Sequence, residues 1–292
     1  MPGRELQLET PDGRLLDVID CGPAGAPTVL VQHGTPGSRL LLPEWLEDAE
    51  SRGIRLVGYS RPGYGSSSRR AGRQVVQAAT DVALIAERLK VTRLATWGYS
   101  GGAPHVLACA ARLPQLVVAA AAVSTVVPYG AEGIDFLEGM GQGNVEEFHA
   151  ALAGQATLRP LLEASSNEVP RTVAGFLEAM DSILSAPDRE VMRSQLGDLL
   201  VASFDEALSR GLDGWIDDDL AFVRPWGFEL AEIGVPLQLW QGGQDRMVPP
   251  AHGRWLARQL PAAESHQLPE AGHLSPLLEQ APAIHDWLLA HF

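Results

Sequence analysis

Short β-rich, mostly apolar runs recur along this chain with helical periods between them, and that alternation restricts the fold more than any single motif. Residues 28–32, 54–59, 93–97, 117–124, 237–241 and 265–268 read as buried strands. Between them, segments such as 75–89 and 103–112 carry helical spacing. A βα alternation of this kind builds a mostly parallel sheet covered by helices on both faces. Residues 5–9 and 15–20 flank the turn Pro11-Asp12-Gly13 and read as an edge hairpin. The rhythm stops at Pro128 and resumes near Val235. The stretch between reads as helices only, with Asn144 and Ser203 as caps, each followed three residues later by a glutamate, and with Gly211 as a helix stop. The expected organisation is a core of residues 1–127 and 226–292 interrupted by a helical cap, residues 128–225. An insertion there sits over the strand ends, where open α/β sheets place their ligands, and acts as a lid.

Composition removes several function classes. With a formal net charge of -14 and Lys90 as its one lysine, the chain lacks the clustered cations that a nucleic-acid partner requires. Leu89 precedes Lys90, so no phosphate-cradling G-x-x-x-x-G-K loop exists. Cys21 and Cys109 stand far apart and form no zinc or disulfide spacing; both read as buried thiols. No metal and no cofactor is expected. Nor does any apolar run have the length to span a bilayer, the first residues lack a signal-peptide core, and the expected setting is cytoplasmic, without a membrane partner.

The strand at 93–97 runs into Gly98-Tyr99-Ser100-Gly101-Gly102, a G-x-S-x-G turn of the type that lifts a serine Oγ above a sheet. A hydrolytic serine needs a base, a carboxylate to orient that base, and amide donors for the oxyanion. In the order Ser, acid, His, Asp245 closes LQLWQGGQD and His273 closes LPEAGH, each in a loop after a strand. Glu270, three residues before His273, is the rival acid and reads as a loop residue. After the third strand, His33-Gly34-Thr35-Pro36-Gly37 brings the Thr35 amide toward the point faced by the Gly101 amide.

Together HGTPGS, GYSRPGYGSS, GYSGG, GGQDRMVP and AGH give the chain its resemblance to α/β-hydrolase-fold enzymes with a helical cap. The resemblance implies an eight-stranded, mostly parallel sheet, a catalytic triad of Ser100, Asp245 and His273, and an oxyanion hole from the Thr35 and Gly101 backbone. Ser60 stands where many members carry aspartate before Arg-Pro-Gly, which bears on a local loop contact. Relatives that act on haloalkanes and epoxides place aspartate at the elbow, so Ser100 points to acyl transfer and a small-molecule acyl substrate.

Pocket candidates are Tyr99, beside the nucleophile, and Phe136, Met140, Trp215 and Trp226 in or beside the insertion. The expected activity is hydrolysis of a small carboxylic ester. The alternative is an aminopeptidase resembling proline iminopeptidases, whose caps use acids to hold a substrate amine; Thr35 and Gly101 depart from the glycine and tryptophan typical of those enzymes. The insertion's own acids, including Glu146, Glu147 and Asp217-Asp218-Asp219, read as solvated helix faces. A non-catalytic binding protein of the same fold is a third reading, which a complete triad disfavours.

Overall fold

In the computed structural model, which describes residues 3–292, eight strands form one sheet. They are β1 (Arg4–Glu9), β2 (Leu15–Cys21), β3 (Thr28–Gln32), β4 (Arg55–Tyr59), β5 (Leu94–Tyr99), β6 (Val117–Val123), β7 (Leu237–Gly242) and β8 (Glu264–Leu268). Their order across the sheet is β1-β2-β4-β3-β5-β6-β7-β8. The β1–β2 hairpin pairs antiparallel and β2 joins β4 antiparallel, whereas every pairing from β4 to β8 is parallel.

The strands of the sheet centre are apolar throughout because helices cover both faces. Alternate residues therefore enter different cores: Leu30, Ala120 and Ala122 pack on one side, and Val29, Val31, Ala119 and Ala121 on the other. Helices α1 (Pro43–Ser51), α2 (Ala78–Arg88) and α3 (Ala103–Arg112) follow in the first half. Ala120 and Ala122 of β6, on the face that α3 covers, let that helix lie close to the sheet. Cys21 and Cys109 are free and buried.

Between β6 and β7 come six helices: α4 (Gln142–Ala153), α5 (Gln155–Glu168), α6 (Val173–Ala179), α7 (Ala186–Val191), α8 (Gln195–Leu208) and α9 (Asp213–Phe222). After β7 come α10 (Pro250–Gln259), α11 (Ser275–Glu279) and α12 (Ala281–Leu289). No described helix is long and apolar enough to cross a membrane.

Neither expected cap caps. Asn144 lies inside α4 and donates through Nδ2 to the Met247 carbonyl at 3.0 Å. Ser203 lies inside α8, where its Oγ accepts the Ser38 N–H at 2.8 Å. Both side chains join the insertion to core loops, a long-range use that overrides the local capping pattern.

Helix α9 corrects the reading of the acids more sharply. It is buried from Gly214 to Phe222, and Asp217, Asp218 and Asp219 are all inside. Asp217 takes a two-pronged bond from Arg69, at 2.8 and 3.0 Å. Asp218, wholly buried, receives Arg61 at 2.7 Å, Tyr64 Oη at 2.8 Å, Thr35 Oγ1 at 2.8 Å, and Arg73. His105 Nε2 lies 3.2 Å from Oδ1, the oxygen that Arg73 also takes. Burial alone disfavours the ionised carboxyl, but the Arg61 and Arg73 guanidiniums outweigh it and hold Asp218 well below the usual carboxylate range. Removing that charge leaves two buried guanidiniums unpaired. Asp218→Ala is therefore expected to destabilise the fold by about 3–5 kcal/mol in urea denaturation, and a loss below about 1 kcal/mol would contradict this account of the insertion's anchorage.

Candidate active site

Parallel register brings the loop ends together. Gln32 at the end of β3 pairs with Gly98 near the end of β5, and Val123 of β6 pairs with Trp240 of β7. The loops that follow β3, β5, β7 and β8 carry Thr35, Ser100, Asp245 and His273 in turn, all at the carboxyl ends of the parallel strands.

Ser100 links β5 to the short turn that opens α3. Tyr99 is still extended, and Ser100 has φ 52°, in the left-handed region that costs a non-glycine residue about 1–3 kcal/mol. The turn is pressed against β3, so a Cβ added to Gly102 would lie 2.2 Å from the Gln32 carbonyl oxygen and 2.4 Å from that of His33. Only glycine fits there. The strain leaves Ser100 half-buried, at a cavity of about 300 Å³.

Thr35, Gly101, Tyr99 and His273 line the same cavity. His273 Nδ1 donates to Asp245 Oδ2 at 2.8 Å, which leaves Nε2 with its lone pair free to accept. Asp245 is fixed in turn: Oδ1 accepts the Met247 and Val248 N–H groups at 2.9 and 2.8 Å, and Gln241 Nε2 reaches Oδ2 at 3.2 Å. Burial works against the imidazolium of His273, but the Asp245 charge and hydrogen bond, with Asp188 adding, raise it above the ordinary histidine value. Glu270 is exposed and meets Gln244 at 3.3 Å.

Four other histidines, His33, His105, His252 and His285, have buried structural posts. His33 donates through Nδ1 to the Gly34 carbonyl at 2.7 Å and accepts the Arg61 N–H on Nε2 at 3.0 Å, a pairing that requires the neutral ring. Burial, reinforced by Arg61, holds it well below the usual value. Burial likewise pushes His105 and His252 down to about 4. The loop with Thr35, whose peptide to Pro36 is cis, is braced by Arg61, which donates to the Gly34 carbonyl at 2.9 Å and to Thr35 Oγ1 at 3.0 Å. Ser60 makes a local contact, its Oγ accepting the Arg39 N–H at 3.1 Å.

The insertion supplies the far wall. Trp215 and Tyr99 line the cavity, together with Phe148, Phe176, Phe204 and Phe222. Phe136, Met140 and Trp226 are corrected: none is among its lining residues. Phe136 stacks edge-on against Tyr129, Phe148 and His252, Met140 lies in the core, and Trp226 packs beside Phe228. Apolar spacing marks a buried side chain without saying which neighbour buries it.

Glu147 and Asp219 also line the cavity. Burial raises both, and the neighbouring Glu147 charge lifts Asp219 further, well above the usual range, so the pair retains a proton that an isolated carboxyl would lose. Trp215 Nε1 donates to Glu147 Oε1 at 2.7 Å. Among the described residues, no group of three or more histidines, cysteines or acids is placed to hold a metal.

Residues 27–280 match the family model of the alpha/beta hydrolase fold. The chain is 28% identical over 260 residues to the dihydrolipoyllysine-residue acetyltransferase component of the acetoin cleaving system of Cupriavidus necator, which covers 87% of this chain and 60% of that one. It is 34% identical over 127 residues to a bifunctional esterase/perhydrolase of Acinetobacter calcoaceticus, covering 41% of this chain and 44% of that one. The chain thus spans less than two thirds of the length of these curated relatives. A malate-bound thermophilic esterase from Thermogutta terrifontis shares the fold, with a TM-score of 0.68 at 19% identity over 99% of this chain and 100% of that one.

The electrostatics of His273 give a direct test. Its imidazole is expected to titrate above the ordinary value of about 6.5, followed by NMR. Asp245→Asn, which removes the charge and leaves the burial, should bring the midpoint below that value, while Glu270→Gln should leave it in place. A midpoint that moves with Glu270 and not with Asp245 would transfer the orienting role.

Proposed function

The chain belongs to the alpha/beta hydrolase fold family, and from that premise we propose that it hydrolyses small carboxylic esters through an acyl-enzyme formed on Ser100. The observation that carries this reading is the convergence on one cavity of a serine in left-handed backbone and a histidine whose Nδ1 is taken by a buried carboxylate.

In this reading His273 Nε2 accepts the Ser100 Oγ proton as the oxygen attacks the ester carbonyl. Thr35 and Gly101 N–H groups stabilise the oxyanion, a type of contact whose loss costs about 10²–10³ in rate. The imidazolium then protonates the leaving alkoxide. Water repeats the sequence on the acyl-enzyme and releases the acid. The insertion acts as a cap whose aromatic wall receives the acyl group and excludes water. The names of the Acinetobacter relative and the Thermogutta neighbour, both esterases, support this class of substrate.

A second reading, an aminopeptidase, is favoured by the Glu147–Asp219 pair, since a substrate ammonium could take the place of the shared proton. The mainly aromatic wall, the Trp215 bond already on Glu147 and the Thr35 and Gly101 departures weigh toward the ester.

Ser100→Ala should retain the wild-type circular dichroism spectrum and lose turnover by about a millionfold. Retention of about a tenth of the rate would refute the assignment. For the wild type, kcat/KM on p-nitrophenyl acetate should exceed that on proline p-nitroanilide, and the reverse order would select the aminopeptidase. The ester rate should rise with pH through the raised His273 midpoint, because only the neutral imidazole acts as base.

A further inference from the structure

The triad leaves one question about His273: Asp245 fixes its ring, but its backbone lies in a loop between β8 and the five-residue helix α11. That backbone is held from the insertion. Asp188, in the short helix α7, is wholly buried. Its Oδ2 accepts the His273 N–H at 3.0 Å, and its Oδ1 accepts the Leu274 N–H at 2.6 Å and the Ser275 N–H at 3.4 Å. Ser185, the residue before α7, donates to the same carboxylate through Oγ at 2.7 Å and through its N–H at 3.3 Å.

The approach is close enough to dictate the neighbouring residue. A Cβ on Gly272 would lie 2.3 Å from both Asp188 Oδ1 and Ser185 Oγ. Gly272, with its own N–H bonded to Ser275 Oγ at 2.9 Å, lets the loop fold over the carboxylate. The three amides that Asp188 receives lie at the start of α11, where a helix has no internal acceptors for them. A cap for one's own helix would come from the preceding residues. This one comes from 85 residues earlier in the chain, out of the insertion.

We propose that Asp188 is a positioning residue for His273: a carboxylate, supplied by the helical insertion, that fixes the histidine loop so that Nε2 meets the Ser100 hydroxyl. The inference rests on the reading of His273 as the base. Two carboxylates thereby hold one histidine, Asp245 at the ring and Asp188 at the main chain. These are the charged groups that act on the imidazole, Asp245 from the loop after β7 and Asp188 from α7, and both favour its protonated form. It follows that any displacement of α7 away from the core would release the histidine loop. The base is in place only when the insertion is seated.

The test is Asp188→Asn in the full chain. An amide nitrogen cannot accept the N–H groups that the lost oxygen held, so kcat on p-nitrophenyl acetate should fall by about ten- to a hundredfold with KM little changed, as expected for a misplaced catalytic group. Loss of the negative charge should also move the acidic limb of kcat/KM, and the NMR titration of His273, to lower pH. The midpoint shift reports the carboxylate's charge near the ring, whereas the fall in kcat at constant KM reports the positioning, since a merely structural cap would leave kcat at its wild-type value. A folded Asp188→Asn protein with wild-type kcat overturns the proposal, whether or not its midpoints move. If that variant fails to fold, Ser185→Ala removes one donor from the carboxylate, and a severalfold fall in kcat at constant KM is expected; an unchanged kcat overturns the proposal. A wild type that cleaves no ester, while the His273 midpoint still falls in Asp188→Asn, would sink the hydrolase reading and uphold the link between Asp188 and His273.

Discussion

A fully buried carboxylate has to be neutralised where it stands, and the arrangement around Asp218 follows from that requirement. Arg61 and Arg73 reach it from the segment after β4, Tyr64 adds a hydroxyl, and Thr35 donates from the loop after β3. The same Arg61 then spends its remaining donors on the carbonyls of His33 and Gly34. One charge on α9 thus shapes the loop assigned to the oxyanion. Asp188, on α7, does the equivalent for the loop of His273. The insertion and the core are joined through the two loops on which the proposed chemistry depends.

The sheet contributes the remaining order. Parallel pairing aligns the ends of β3, β5, β7 and β8, and packing on both faces leaves the ends of β3, β5 and β7 little freedom. Against that rigid support a serine at φ 52° can persist, because the strands and α3 over-determine the turn between them. Stability from the cores and strain at the elbow are two sides of one design: the site is held by elements that do not themselves take part.

Much of this was readable from local pattern. The strand at 28–32 and the helix at 103–112 have the expected limits, the acid after β7 is bonded to the histidine after β8, and the elbow serine lines the same cavity as that histidine. The features that escaped are those fixed by distant partners. Three consecutive aspartates on a helix resemble a solvated face until the arginines at 61, 69 and 73 are placed beside them; that arginine cluster was the available signal. Asn144 and Ser203 fit a capping pattern yet bond across to the core. Phe136, Met140 and Trp226 carry the same apolar signature as Trp215, and only the tertiary packing sorts core from cavity wall. Asp188 has no distinguishing spacing at all, since the amides it holds lie in another part of the chain.

The central claim is that Ser100 is the residue acylated. Treatment with an organophosphonate ester followed by peptide mass mapping tests it most directly, because the reagent bonds covalently to an activated serine and reports the position. The account predicts a single adduct per chain, on Ser100, formed in step with loss of ester turnover. An adduct on a different serine, or complete loss of turnover with Ser100 unmodified, would contradict it.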